Sequence, residues 1–221
     1  MRHYSTLLWT CLLVLAVAQI AAGDTTYVSG TIATSTYWGI EGSPYVLTGN
    51  VYVRSSSVDS VITLRIGPGV EVRCAAGGTL QVGAYDSYYL SHRARLIVEG
   101  TPEERVRFTA DGGPGAPWGG LRLCYSANAY DRDSLFYCDI EYAGIGIQTD
   151  LSPYVTLEGC RITHSTGYGI YAPSGNVVLR SSAVCNNGLD GIFLYSGLLG
   201  GSSDRGCDIY GNGSISGYNV R

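Results

Sequence analysis

The chain has 221 residues and a formal charge of −4, and all 14 of its basic side chains are arginines. Without lysine, Schiff-base chemistry, a P-loop and a lysine general base are excluded. The acidic balance argues against nucleic acid and anionic membranes as partners, while 31 glycines and a 45% hydrophobic content suit a turn-rich β fold with a core.

Residues 1–23 are predicted to be a secretory signal peptide. Arg2 and His3 make the start weakly basic, and the run from Leu7 to Ile20 is mainly apolar. Ala21-Ala22-Gly23 then offers the small residues that a signal peptidase needs. Because the apolar run is too short for an ordinary transmembrane helix, we expect a secreted or cell-surface protein that does not insert into a membrane.

Residues 24–48 are predicted to form an N-terminal cap and the first strand. The apolar pattern is irregular here, and the open end of a stack of strands must be covered. From residue 49 to 221 the sequence predicts regular rungs, because apolar residues alternate with the period of a β-strand, as in Ile62-x-Leu64-x-Ile66. Residues 83–94 break this pattern and indicate a loop that projects from the stack.

The segment from Leu135 to Ile215 repeats itself about every 22 residues. One aliphatic column has steps of 22, 22 and 25 residues and consists of Ile140, Ile162, Val184 and Ile209. Three further columns are Leu135, Leu157 and Leu179; Cys138, Cys160, Ser182 and Cys207; and the pairs Gly146-Ile147, Gly169-Ile170 and Gly191-Ile192. Such repeats bury their apolar faces by stacking on one another. Short strands joined by Gly, Asn, Ser and Asp therefore predict an all-β solenoid, a parallel β-helix of roughly 22 residues per rung.

The columns also predict contacts between rungs. Asp139 shares a column with Arg161, and Glu158 shares one with Arg180, so we expect cross-strand ion pairs. Asn186, Asn187 and Asn212 follow the aliphatic column, where a turn favours residues that accept positive φ.

The cysteine column places Cys138 beside Cys160 on neighbouring rungs. Secretion favours a disulfide, but side chains of a parallel ladder point the same way, which holds the β-carbons too far apart for a good bridge. We expect geometry to prevail and both thiols to stay buried and reduced. At the other end, Cys207 begins a rung that nothing in the sequence covers, so we expect further rungs or self-association at this edge.

Four stretches carry a resemblance to a known family: TLRIGPGVEVRC, LIVEGTPEERVRFTA, PWGGLRL and GCRITHSTGYGIYA. They resemble rungs of secreted bacterial right-handed parallel β-helix proteins of the pectate-lyase-like superfamily, over nearly all of residues 45–220. The resemblance implies a right-handed, single-stranded parallel β-helix. The best understood members of this superfamily are polysaccharide lyases, epimerases and hydrolases. Many other members have no assigned activity and lie on cell surfaces beside other modules. A shared fold does not carry a function over.

Carboxylates do not mark a catalytic site in this sequence. A lyase needs clustered outward acids for Ca²⁺ and a basic residue, but the predicted outward acids are spread over several columns: Asp139, Glu141, Glu158, Asp190 and Asp208. Asp131-x-Asp133 fits either a calcium-binding turn or a solvated loop, and Glu141 with His164 fits either an acid–base pair or an incidental neighbour. We predict no catalytic residue, no metal ligand and no cofactor.

The 18 tyrosines are the most distinctive chemical feature of the chain. The predicted ligand-binding residues lie on the projecting loop and on a second one: Tyr85, Tyr88, Tyr89, Tyr125 and Tyr130. Tyrosine can stack on a sugar while its hydroxyl hydrogen-bonds, although it is also common on β-sheet surfaces. The sequence thus predicts a secreted or cell-surface, non-catalytic β-helix module for carbohydrate contact or surface attachment, with a polysaccharide as partner. The alternative is a polysaccharide lyase or a related carbohydrate-active enzyme.

Overall fold

The computed structural model describes residues 24–57, 60–85, 91–124, 132–151, 153–194, 199–200 and 207–213. In these ranges the chain consists of β-strands and turns, with one 3-10 turn at Ile40–Gly42. None of the described segments is a helix of the length and apolar character needed to span a membrane. The strands wind into a right-handed parallel β-helix, which confirms the predicted fold class.

Three strands open the helix. β1 (Thr26–Ile32) pairs in parallel with β3 (Tyr45–Val53), and β2 (Thr36–Trp38) lies between them in the chain. β3 turns a corner, because its beginning pairs with one later strand and its end with another. Residues 24–48, predicted to be the cap and first strand, therefore contain β1, β2 and the beginning of β3.

Each of the next five turns supplies one strand to each of three faces. These strands are β4 (Ile62–Ile66), β5 (Glu71–Cys74), β6 (Thr79–Val82), β9 (Ala94–Glu99), β10 (Val106–Ala110), β11 (Gly120–Cys124), β12 (Asp133–Phe136), β13 (Cys138–Glu141), β14 (Ile147–Asp150), β15 (Tyr154–Glu158), β16 (Arg161–Thr163), β17 (Ile170–Ala172), β18 (Asn176–Arg180), β19 (Ala183–Cys185) and β20 (Ile192–Leu194). Another turn begins with β21 (Leu199–Gly200) and β22 (Asp208–Tyr210). Between β6 and β9, β7 (Ala84–Tyr85) and β8 (Ser91–His92) form an antiparallel hairpin, as the broken pattern at 83–94 suggests.

We call the three faces A, B and C. Face A consists of β2, β4, β9, β12, β15, β18 and β21. Face B consists of β5, β10, β13, β16, β19 and β22, and face C of β6, β11, β14, β17 and β20. Faces B and C are continuous through β3, which contributes to both.

The strand register confirms the repeat columns. Ile140, Ile162, Val184 and Ile209 pair in sequence along face B. The leucine column runs along face A, and the isoleucines of the Gly-Ile pairs run along face C. Rung length is less uniform than the repeat suggests, because loops are inserted in the earlier rungs. Thr63 and Arg95 on neighbouring rungs are 32 positions apart, and Leu96 and Asp133 are 37 positions apart.

The core fills the space inside the three faces. Phe108 and Trp118 stack with ring centroids 6.5 Å apart, and the Trp118 indole N–H donates to the carbonyl oxygen of Glu141 at 2.8 Å. Near the N-terminal end, Trp38 stacks on Tyr45 at 4.7 Å. Each large buried side chain contributes about 1.5–3 kcal/mol of transfer free energy, so the stack of rungs supplies the stability that a single rung lacks.

Side-chain amides form a ladder at the corner between faces B and C. Asn187 Oδ1 accepts the backbone N–H of Ser165 at 3.0 Å, and its own backbone N–H donates to Asn212 Oδ1 at 3.0 Å. Its Nδ2 donates to the Ile162 carbonyl at 3.3 Å. The prediction of positive φ is confirmed for Asn186, with φ 57°, and is wrong for Asn187 and Asn212, whose side chains serve as ladder partners instead.

Candidate functional site

The tyrosines predicted to bind ligand follow strands of face C along the chain. Tyr88, Tyr89, Tyr125 and Tyr130 fall outside the described residues, and Tyr85 is described only through its backbone in β7. β7 follows β6 after one residue, and the segment with Tyr125 begins directly after β11. Both segments therefore start where strands of face C end, and ligand binding by these tyrosines stays a prediction.

Face C carries a row of outward side chains that the sequence patterns did not reveal. Its members face one another in register on successive rungs: Tyr52, Gln81, Arg122, Gln148, Tyr171 and Phe193. We call these six residues the face C row. Since strands in a sheet lie about 4.8 Å apart, the row extends over about 24 Å.

Three members of the face C row could have been predicted from the sequence repeat. Gln148, Tyr171 and Phe193 each come directly after the isoleucine of a Gly-Ile pair. Because side chains alternate along a strand, a residue next to an inward isoleucine points outward. The other members precede the repeat region and could be aligned only through the strand pairing.

Aromatic rings cluster at one end of the row. The ring centroids of Tyr168 and Tyr171 are 5.1 Å apart, and Phe193 lies 5.2 Å from Tyr171 and 5.6 Å from Tyr168. All three side chains are half-buried, so they pack on one another and remain partly open to solvent. Such a cluster offers a preformed apolar platform.

The opposite end combines a ring with a cation. The guanidinium carbon of Arg54 lies 5.5 Å from the centroid of the half-buried Tyr52 ring. This distance is within the range of a cation–π contact. Arg54 is exposed and therefore accessible from solvent.

The middle of the row is polar and its charge is internally balanced. Arg122 Nε donates to Asp150 Oδ2 at 2.5 Å, and Gln148 Nε2 donates to both oxygens of the same carboxylate at 3.3 and 3.2 Å. The hydrogen bond to Asp150 raises the pKa of Arg122 above its ordinary value. Gln81 Nε2 donates to the Gly83 carbonyl at 3.1 Å, which fixes the orientation of that amide.

A depression of about 170 Å³ lies beside this polar segment. Gly119 and Gly120 line it together with Gln81, Arg122 and Gln148. A β-carbon on Gly119 would come within 2.2 Å of Thr79 Oγ1, and one on Gly120, whose φ is 111°, within 1.7 Å of the Ile145 carbonyl oxygen. The glycine pair is therefore required for the close packing that shapes the depression.

On face B, arginines form ion pairs with Glu71, Asp139 and Glu141. Arg105 contacts both oxygens of Asp139 at distances from 2.9 to 3.1 Å. Arg161 lies 3.6 Å from the same carboxylate, and on face A Arg180 lies 3.8 Å from Glu158, so both predicted ion pairs are confirmed.

The structure does not join Glu141 and His164 into an acid–base pair, although both residues are described. Glu141 accepts from Arg107 at 3.0 Å, and the His164 ring lies 5.5 Å from that of Tyr142. Asp190, predicted to point outward, is buried, and no partner of its Oδ1 is found among the described residues. Within the described residues as a whole, no three His, Cys, Asp or Glu side chains are grouped closely enough to hold a metal ion.

Asp133 differs from both interpretations of the Asp131-x-Asp133 segment. Both placed it at solvent, whereas it begins β12 with its side chain buried. Its Oδ1 accepts the backbone N–H of Leu96 at 2.7 Å. Burial raises the pKa of Asp133 to about 7, and this hydrogen bond and the nearby charge of Arg95 offset only part of the effect.

The predicted cysteine neighbours lie together inside face B. The sulfurs of Cys138 and Cys160 are 3.5 Å apart, both residues are buried, and they are not linked. The hydrogen bond to Cys160 and burial raise the pKa of Cys138 well above its ordinary value. Both side chains are buried in the hydrophobic core, so the pair has the character of a core contact.

Comparison with protein families supports this architecture. Residues 123–220 match the family model described as the right handed beta helix region. The matched segment contains the columns and the parallel register seen in the structure. The fold of this chain is a right-handed parallel β-helix. Comparisons with curated proteins and with solved structures gave no match. Membership of the pectate-lyase-like superfamily and secretion stay predictions from the sequence.

Proposed function

We propose that this β-helix protein is a secreted or cell-surface module that binds a polysaccharide without cleaving it. The observation that carries the proposal is the face C row, in which aromatic rings at both ends flank hydrogen-bonding side chains in the middle. A pyranose ring has an apolar C–H face and a rim of hydroxyl groups. Aromatic faces complement the first, and amide and guanidinium groups complement the second.

The rigidity of the row favours binding. Each of its six side chains stands on a strand that is paired in register with its neighbours. Because the backbone is already ordered, binding does not have to pay for ordering a loop, which favours affinity. A long, shallow and ordered surface suits an extended chain better than a compact small molecule.

The carboxylates of this face favour binding over cleavage. Glycoside hydrolysis in most families needs two carboxylates that flank the bond to be broken. In the described strands of face C, Asp150 is the one acidic side chain, and Arg122 and Gln148 already bind it.

The experiment is a binding assay of the purified chain against a panel of insoluble and soluble polysaccharides, by pull-down and affinity electrophoresis. We expect at least one polysaccharide to bind, and Tyr171→Ala and Phe193→Ala each to weaken binding about tenfold, as for aromatic anchors of other interfaces. The matched control is Tyr37→Ala, which removes a tyrosine that is 55% exposed on β2 of face A. Its binding should equal that of the unmodified chain.

Two results would overturn the proposal. One is the absence of binding to every polysaccharide in the panel; the other is unchanged binding by Tyr171→Ala and Phe193→Ala variants that melt at the original temperature. Release of unsaturated or reducing sugar ends during the same incubations would favour the alternative, a carbohydrate-cleaving enzyme.

A further inference from the structure

We infer that the face C row selects uncharged, linear polysaccharides with equatorial hydroxyl groups, and that the depression at Gly119 and Gly120 holds one sugar of such a chain. This inference rests on the proposed function and specifies its ligand. It follows from the charge balance of the row, from the spacing of its members and from the size of the depression.

The charge balance disfavours acidic sugars. Arg122 is the one cation within the row, and Asp150 neutralises it at 2.5 Å. A uronate carboxylate placed over this segment would meet the Asp150 carboxylate as well as the guanidinium, so its attraction to Arg122 would be largely cancelled. Arg54 lies at the end of the row, where its charge faces the Tyr52 ring.

The spacing of the row suits an extended pyranose chain. Tyr52 and Tyr171 are four rungs apart, or about 19 Å. The advance per sugar in an extended 1,4-linked chain is close to one rung, so successive sugars can meet successive members of the row. A chain parallel to the helix axis would stack on a ring at each end and cross Gln81, Arg122 and Gln148 between them.

The flat face of the rings requires a flat face on the ligand. Pyranoses with equatorial hydroxyls present C–H groups above and below the ring, which is what an aromatic platform binds. Their hydroxyls then point sideways, toward neighbouring hydrogen-bonding groups. The two glutamine amides supply oxygen acceptors, and Arg122 supplies N–H donors beyond its bond to Asp150.

The depression has the size of a single sugar. Its volume of about 170 Å³ corresponds to about six water molecules at liquid density and is smaller than the pockets that bind drug-sized ligands. It lies beside the three polar members of the row, where a ligand sugar can form its hydrogen bonds.

The test is isothermal titration of the purified chain with hexasaccharides that differ in charge: cellohexaose and xylohexaose against hexagalacturonate. We expect a neutral hexasaccharide to bind at least about tenfold more tightly than the acidic one. Its affinity should not change between ionic strengths of about 0.01 and 1 M, over which the screening length falls from about 30 to 3 Å.

Variants locate the binding site. Gln81→Ala and Gln148→Ala should each weaken neutral binding by about fivefold to tenfold, the range for a lost hydrogen bond. Thr163→Ala, which truncates a half-buried polar side chain on face B, is the matched control and should bind normally. Melting temperatures establish that all three variants fold.

The outcomes separate this inference from the proposed function. Tighter and salt-sensitive binding of hexagalacturonate would overturn the inference while leaving carbohydrate binding intact. Normal neutral binding by both glutamine variants would also overturn it, since the sugar would then lie elsewhere. If no saccharide binds, in the titrations or in the polysaccharide panel, the proposed function itself is wrong.

Discussion

Asp133 brings a carboxyl group into an aliphatic column of the core. Along face A it pairs with Val155, and its carboxylate accepts the N–H of Leu96 on the preceding rung. The residues before and after it in this column, Leu96 and Val155, are aliphatic. The carboxyl group therefore loses its hydration on folding and gains the Leu96 N–H as a hydrogen-bond donor. Burial makes the protonated form the better fit and raises the pKa to about 7.

This environment predicts a pH-dependent stability. Because the pKa of Asp133 rises on folding, its contribution is fully present below the ordinary pKa of 3.8 and is lost as pH rises through about 7. We expect the free energy of unfolding of the original chain, relative to Asp133→Asn, to fall by about 2–4 kcal/mol between about pH 5 and pH 8. Urea unfolding of both proteins at each pH measures this, and a difference that does not change with pH would contradict it.

The thiols of Cys138 and Cys160 provide a second prediction. Although their sulfurs are 3.5 Å apart, both are buried in the hydrophobic core, and the geometry of a parallel ladder disfavours a bridge between neighbouring rungs. We expect alkylation in denaturant without reductant to label both cysteines. Mass spectrometry of the non-reduced protein would contradict this if it found a peptide that links positions 138 and 160.

The ion pairs that join strands of adjacent rungs differ in their exposure to solvent. The Arg105–Asp139 pair is 16% and 18% exposed, whereas the Arg65–Glu99 pair on face A is 46% and 38% exposed. Arg105 also donates to the carbonyl oxygens of Cys138 and Gly159, at 3.1 and 2.8 Å. Both pairs join adjacent rungs, but water screens only the second pair effectively.

The two pairs are therefore expected to differ in their contribution to stability. Arg105→Ala should lower the free energy of unfolding by about 2–3 kcal/mol, because it removes charge-assisted hydrogen bonds and leaves Asp139 with the more distant Arg161. The matched variant Arg65→Ala should cost about 0–1 kcal/mol. Equal unfolding midpoints for the two variants in urea would contradict this ranking.

The inward elements of the fold were predictable because their side chains share one chemistry. Ile140 and Ile162 align by eye, since both positions must fill the same kind of space. The face C row was missed because its members share a position and not a chemistry, and loops of unequal length separate Tyr52, Gln81 and Arg122. Both interpretations of Asp133 were wrong because a carboxylate is usually expected at the surface. Only the alignment of Asp133 with Leu96 shows that its side chain belongs to the core.

On the scale of the whole molecule, the described residues form a one-dimensional stack of rungs. At one end, β1 pairs with β3 and Trp38 stacks on Tyr45. At the other, β22 pairs with β19, and no second neighbour of β22 is found in the part of the chain that the structure describes. Open strand edges promote pairing with another chain.

Self-association of the purified chain through its last rung stays a prediction. Light scattering should show a molar mass that rises with concentration, and Ile209→Asp should reduce that rise while also destabilising the chain, because it places a charge against the core. A monomer at every concentration, with amides of β22 protected from hydrogen exchange, would contradict the prediction.

The reach of Arg105 has a mechanical consequence. Its guanidinium touches Asp139 and Cys138 on the next rung and Gly159 on the rung after that. In a solenoid with contacts only between nearest neighbours, a force applied along the axis can peel off one rung at a time. A side chain that clamps three rungs makes them yield together, so extension of this protein should show one large rupture at its centre among smaller steps toward its ends.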